Sequence, residues 1–310
     1  MVGSHLLECL AGLGEQDVIG SYYQPTIRLS EIEGRFRLAE LDVRDTAAMA
    51  AMVQTERPQV IYHLAAQSLP TRSWDAPWET MQVNVQGTVN LFEAIKQVRA
   101  HDPSYDPVVL VAGSSAQYGA SLTPQNVPIS EDLTPLPLHP YGVSKVAQDL
   151  LAYQYWANDG IRCIRARIFN CTGPRKHADV ISDFARRVAA IEGNGGVLKV
   201  GNLAAKRAIL DVRDLLAALL ALASHGAPGE AYNICAEAAH SIASLIPVFE
   251  TLTGRAIATE IDPALLRPTD EAVIFGSCDR LKAATGWCQT IAIEDTIKTV
   301  LDYERAQLAA

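Results

Sequence analysis

Two side chains in the middle of the chain are spaced to move a proton. Tyr141 and Lys145 stand four residues apart in Pro140-Tyr-Gly-Val-Ser-Lys145, so on a helix they share one face, one turn apart. A Tyr hydroxyl is a poor acid near neutral pH, with an ordinary pKa of about 10. A neighbouring ammonium, or a positively charged cofactor ring, favours the phenolate and brings the group toward working pH. Upstream, the apolar run Pro107-Val-Val-Leu-Val-Ala112 reads as a buried strand that carries Ser114 at its tip. A hydroxyl there can hold a substrate carbonyl oxygen next to the phenol. Tyr-x-x-x-Lys alone also describes a surface helix with a partly packed Tyr and a solvated Lys. The order and spacing of the strand, Ser114-Ser115, Tyr118-Gly119, Pro140-Tyr141 and Lys145 argue instead for a site.

The elements that must carry these groups alternate between strand and helix patterns. Residues 17–23 read as a strand, 46–55 as a helix and 60–67 as a strand ending in small residues, and Asn84 begins a long amphipathic helix to about Val98. The helix from Tyr141 carries Leu150, Leu151, Tyr153, Gln154 and Tyr155, a stripe that suits a core or a dimer face. Residues 161–169 are strand-like, and their alternation leaves open the plain alternative that Arg165 and Arg167 only share a solvated face. Beyond them come a helix at 180–191, a short strand and turn at 197–202, a helix with an acidic start at 211–222 and a strand at 232–235. The last helices run from about Ser241, Asp279 and Ile293. With no repeat or linker, two interleaved lobes with the ligand between them fit this order better than two sequential domains.

Ser114-Ser115-Ala116-Gln117-Tyr118-Gly119, Tyr141-Gly-Val-Ser-Lys145 and Arg167-Ile-Phe-Asn-Cys-Thr-Gly-Pro174 together resemble the extended short-chain dehydrogenase/reductase family of nucleotide-sugar enzymes. Lys199-Val-Gly-Asn-Leu203, Arg207, Asp211-Val-Arg-Asp214, Leu266-Arg-Pro268, Phe275-Gly-Ser277, Arg280-Leu-Lys282 and Thr285-Gly-Trp287 narrow this. They resemble the bacterial GDP-4-keto-6-deoxy-D-mannose reductases, which are GDP-mannose 4,6-dehydratase-like, across essentially the whole chain. The resemblance implies an α/β fold, a doubly wound parallel Rossmann sheet with a smaller, interleaved C-terminal substrate lobe. Residues 1–170 would form the NAD(P)-binding domain and 171–310 mainly the substrate lobe, with about 207–234 returning to the Rossmann domain. It makes Ser114, Tyr141 and Lys145 catalytic and implies a homodimer through a four-helix bundle built from the Tyr141 helix and the one from about Val85.

For the cofactor, Gly3 fits the third glycine of a Gly-x-x-Gly-x-x-Gly fingerprint whose first strand and first two glycines are missing. The native protein is expected to have them, and cofactor binding to be badly impaired without them. The resemblance sets Asp42 and Val43 at the adenine and lets the backbone of Leu64, Ala65 and Ala66 pass close to the cofactor, with Tyr141 and Lys145 at its other end. An alternative for Asp42 is a helix N-terminal acid. His63 reads as a core histidine, and Asn84 as structural support behind the nicotinamide loop. No acid stands between Ser21 and Thr26, and Arg28 follows, which favours NADP(H) over NAD(H). For the substrate, the resemblance assigns Ser115, Asn170 and Lys199, with Arg207 and Arg267 on a diphosphate and Asp270 on ribose hydroxyls. Ala208-Ile209-Leu210 departs from the Asp-Phe-Thr often found there in relatives.

The composition is ordinary for a soluble cytoplasmic enzyme: 49% hydrophobic and 20% charged among 310 residues. A net charge of −9 argues against nucleic-acid binding. The longest apolar run, 215–223, is too short to span a bilayer. Six scattered cysteines form neither a disulfide frame nor a zinc site, and no metal is expected. The scaffold alone does not choose the reaction. A dehydratase must move the C5 proton and the C6 hydroxyl, which takes a carboxylate beside the Ser, and here Ser115 and Ala116 stand there. The leading expectation is NADPH-dependent reduction of the C4 keto group of a GDP-4-keto-6-deoxyhexose to a GDP-6-deoxy sugar such as GDP-D-rhamnose. A nucleotide-sugar 4-epimerase, a 4,6-dehydratase and a catalytically silent dinucleotide or sugar-nucleotide sensor stay open as alternatives.

Overall fold

The computed structural model describes residues 1–15, 17–192, 196–266 and 271–309. Helix α1 (Val2–Gly12) leads to strands β1 (Ile19–Tyr22) and β2 (Arg37–Glu40), helix α2 (Thr46–Glu56) and strand β3 (Val60–His63). Short helices α3 (Pro70–Asp75) and α4 (Pro77–Met81) continue through a π-turn (Gln82–Gln86) into α5 (Gly87–His101), followed by β4 (Val108–Ser114), α6 (Pro140–Asp159) and β5 (Arg162–Ile168). The second half contains β6 (Cys171–Thr172), α7 (Val180–Ile191), β7 (Val197–Val200), β8 (Lys206–Arg207), β9 (Leu210–Asp211), α8 (Val212–His225) and β10 (Ala231–Ile234). It closes with β11 (His240–Ser241), α9 (Ile242–Thr253), β12 (Ala258–Ile261), β13 (Val273–Ile274), α10 (Asp279–Thr285) and α11 (Ile293–Ala309).

β4 lies inside a parallel ladder in the order β10-β5-β4-β3. Its unbroken apolar run follows from burial on both faces. Val109 and Val111 pack with α2, α5 and α6, whereas Leu110 packs with α1, α8 and α10. Helices on both faces make the sheet doubly wound. β1 and β2 form a separate parallel pair, and no strand pairing joins that pair to β3 among the described residues. After β9, α8 and β10 bring the chain back to the ladder, with Ala231 beside Arg165 and Ile234 beside Ile168. A third core forms where Ile181 and Phe184 of α7, Leu198 and Val200 of β7, Phe249 of α9, and Ile297 and Leu301 of α11 meet.

One local expectation is corrected and one alternative is ruled out. Asn84 does not start its helix; it lies within the π-turn between α4 and α5, fully buried. Its side chain serves tertiary contacts described below. Arg165 and Arg167 do not form a solvated face. Arg167 donates from Nε and Nη2 to the two Asp149 oxygens at 3.0 Å each, and Arg165 Nη1 donates to Asp149 Oδ2 at 2.8 Å. Burial opposes ionisation of Asp149, yet the two guanidiniums hold its carboxyl below the ordinary value.

Candidate active site

α6 is well delimited. His139 Nδ1 accepts from the Gly142 N–H at 3.0 Å, Pro140 occupies the first turn, and Gly160 ends the helix in the left-handed region at φ 64°. Gly142 lets the helix start press on the β4 tip: a Cβ there would lie 2.6 Å from the Ala116 carbonyl oxygen. Ser114 Oγ accepts from Ala116 N at 3.2 Å, which turns the chain after the strand. The Ser114 side chain is near enough to the Tyr141 phenol to act against the rise in its pKa.

Tyr141 and Lys145 are 8% and 3% exposed, and Lys145 Nζ lies 5.7 Å from the Tyr141 ring centre. The ammonium donates to the Ala112 carbonyl at 2.8 Å and to Gln148 Oε1 at 2.7 Å. Burial pushes the Tyr141 phenol up to about 12, with the Ser114 side chain acting the other way. Burial pushes Lys145 down to about 7. The expectation that Lys145 lowers the Tyr141 pKa is therefore corrected for the protein as it stands. Loss of water from the phenol outweighs its stabilisation, and the ammonium is directed at Ala112 and Gln148.

After β3, Leu64, Ala65 and Ala66 are partly exposed, and Asn84 fixes the turn beyond them: its Oδ1 accepts from Gln67 N at 2.8 Å, and its Nδ2 donates to Gln67 O at 3.1 Å. The same Nδ2 reaches Ser144 Oγ at 2.8 Å, and Ser144 donates to the Tyr141 carbonyl at 2.7 Å. At the other end, Asp42 does not cap a helix; Asp45 caps α2 by accepting from Ala48 N. Asp42 instead receives Arg44 through Nε and Nη2, at 2.9 Å and 2.6 Å, and this pairing holds its carboxyl below the ordinary value. Arg44 in turn lies 5.7 Å from the Tyr23 ring centre, and Val43 is buried beside them. Gly3 stands in the first turn of α1, where an added Cβ would meet nothing within 4 Å.

These features fit a dinucleotide: small, partly exposed residues after β3, a glycine with open space beside it in the first turn of α1, and a polar turn beside an aromatic ring. Arg28 is exposed, donates to Gln307 Oε1 at 2.8 Å, and lines a cavity of about 260 Å³ with Arg175, Lys176 and Arg186. The structure thus places it against α11, apart from Asp42.

On the substrate side, Ser115 is buried directly after Ser114, and Ile168, two residues before Asn170, is in register with Ser114. The next residue, Cys171, is near enough to Tyr141 to add to the rise in its pKa. Lys199 is exposed on β7. Arg207 is buried on β8, where Nη1 donates to the Lys206 and Glu271 carbonyls at 2.9 Å and 2.8 Å. Arg267 and Asp270 lie outside the described residues. Sequence reasoning missed Gln148 and Arg44. Both stand on legible spacings, three residues after Lys145 on its helix and two after Asp42.

A family model described as GDP-mannose 4,6 dehydratase matches residues 1–300. The GDP-6-deoxy-D-mannose reductase of Pseudomonas aeruginosa is 34% identical over 253 residues, covering 80% of this chain and 81% of that protein. The solved structure of RMD from Pseudomonas aeruginosa complexed with NADPH has a TM-score of 0.83 at 29% identity, covering 99% of this chain and 96% of that one. The UDP-glucose 4-epimerase of Thermus thermophilus, complexed with NAD, has a TM-score of 0.86 at 25% identity, covering 98% of this chain and 96% of that one.

Proposed function

This chain belongs to the GDP-mannose 4,6-dehydratase family of NAD(P)-dependent nucleotide-sugar enzymes, and we propose that within it the chain is a reductase. Its substrate is a GDP-4-keto-6-deoxyhexose, its product a GDP-6-deoxy sugar such as GDP-D-rhamnose, and its cofactor NADP(H) in preference to NAD(H). NADPH, when bound, supplies the hydride for C4. Gly3, Asp42 and Val43 would hold its adenosine and phosphate half, and Leu64, Ala65, Ala66 and Lys145 its nicotinamide half.

The chain's own groups do the rest. Ser114 holds the carbonyl oxygen, and Tyr141, beside Ser114, gives O4 its proton. A phenol pushed up to about 12 is protonated at neutral pH, the form that reduction needs. Ser115, Asn170, Lys199, Arg207, Arg267 and Asp270 bind the GDP-sugar. The exposed apolar face of α6, with Val143, Leu150 and Tyr153, pairs with α5 in a homodimeric four-helix bundle; a monomeric mass in light scattering would argue against it.

The observation that carries the choice of reaction is the Ser114–Tyr141 pair with Ala116 beside it. The first acid after Ser114 is Glu131, and its carboxylate is occupied by Asn233 N at 2.7 Å. A ketone reduction needs no carboxylate there, whereas a dehydration does. Tyr141→Phe is expected to lower kcat for the ketone by about 10²–10⁴-fold, with sugar-nucleotide affinity little changed. Near-full activity in this variant would remove Tyr141 from the reaction.

A further inference from the structure

Lys145 is held by a buried chain of hydrogen bonds that starts three elements away. Gln148 Oε1 accepts from Lys145 Nζ at 2.7 Å, and Gln148 Nε2 donates to Thr88 Oγ1 at 2.7 Å. The Thr88 hydroxyl spends its own proton on the Asn84 carbonyl at 2.7 Å, so towards Gln148 and His63 it can only accept. His63 Nε2, 2.9 Å from Thr88 Oγ1, must then be the protonated ring nitrogen. The directions are fixed throughout: His63 and Gln148 donate to Thr88, and the amide oxygen of Gln148 faces Lys145. A flipped amide would set an NH₂ group against the ammonium. Thr88 and Gln148 are fully buried, and His63 and Lys145 are nearly so.

We propose that Gln148, oriented by Thr88 and His63, is a positioning residue for Lys145. Together with the Ala112 carbonyl it takes two of the three ammonium protons, and only the third is left to turn toward Tyr141 and the ligand. A neutral acceptor at this position also leaves the ammonium without a counter-charge. The charged or titratable groups facing it are His63 from β3 and Tyr141 on α6. Asp149, the nearest acid on α6, is taken up by Arg165 and Arg167 of β5. Burial and the charge of Lys145 push His63 down to about 4, so it stays neutral and does not compete. The catalytic meaning of this arrangement rests on the reductase reading; the positioning itself does not.

The test uses the full chain labelled with ¹³C at the lysine Cε, with the Lys145 resonance assigned by its loss in Lys145→Met. Its titration midpoint is followed by NMR in the parent chain, in Gln148→Glu and in Gln148→Met. The carboxylate keeps an acceptor and adds a counter-charge, so the midpoint rises by about one unit or more. The thioether removes the acceptor, so the midpoint falls below that of the parent. The same midpoint in all three chains overturns the proposal. Turnover is read alongside: Gln148→Met lowers kcat for the ketone about tenfold with KM for the sugar nucleotide unchanged. An active parent whose kcat is untouched in Gln148→Met also overturns the proposal. A parent with no ketone reduction refutes the reductase reading, and the order of the midpoints then judges the positioning alone.

Discussion

Lys145→Met provides a direct measure of how strongly the site desolvates its lysine. Burial moves the amine from an ordinary 10.5 to about 7. Because the folded value is the lower one, the unfolded chain holds the extra proton between these two limits, and stability rises with pH across that window. For the parent chain the rise from pH 7 to pH 9 amounts to about 2 kcal/mol from this group alone. Met lacks the titration but leaves the Ala112 carbonyl and Gln148 Oε1 without their donor, a penalty of about 1–3 kcal/mol for each group that does not depend on pH over this range. Thiols and other tyrosines that titrate near pH 9 are common to both chains and cancel. Urea unfolding of the two chains at both pH values therefore isolates Lys145. The parent is expected to gain about 2 kcal/mol on the variant between pH 7 and pH 9. A stability difference that is the same at both values would show that Lys145 titrates in the folded protein as it does in water, and the desolvation argument would fail.

Two further substitutions probe the supports of the site. Gly142→Ala places a Cβ 2.6 Å from the Ala116 oxygen and 2.9 Å from Pro137 Cβ, so the helix start and the Ser114 turn must separate. A loss of about 1–3 kcal/mol in urea unfolding is expected, together with a drop in kcat, and unchanged stability would mean that the two segments are not pressed together. Arg167→Leu strips the bidentate partner from a buried carboxylate and leaves Asp149 with Arg165 only. Destabilisation by about 3–5 kcal/mol is expected, and pairing it with Asp149→Leu should recover part of that loss; a double variant no better than the single one would count against the ion pair.

Much of the fold could be read from local pattern. The run before Ser114 signals a strand buried on both faces, and it is one. The helix at 180–191 is marked by its apolar period and by Asp179, whose carboxylate accepts from Ser182 N at 2.9 Å. What could not be read depends on partners distant in sequence. The arginines of β5 alternate as a solvated face would, and only α6, which brings Asp149 against them, reverses that reading. Asn84 resembles a helix start in its own segment, and only the resemblance points to the structural role that it fills as a clamp on the Gln67 backbone. The spacing of Tyr141 and Lys145 places both on one face, yet it says nothing about Ala112 and Gln148, which determine where the ammonium points.

The most direct measurement is loss of reduced-nicotinamide absorbance when NADPH and GDP-4-keto-6-deoxymannose are supplied together. Stoichiometric oxidation of NADPH, matched by formation of a GDP-6-deoxyhexose, is the expected result. No oxidation, while a nucleotide sugar is converted to its C4 epimer without added cofactor, would contradict the reductase assignment.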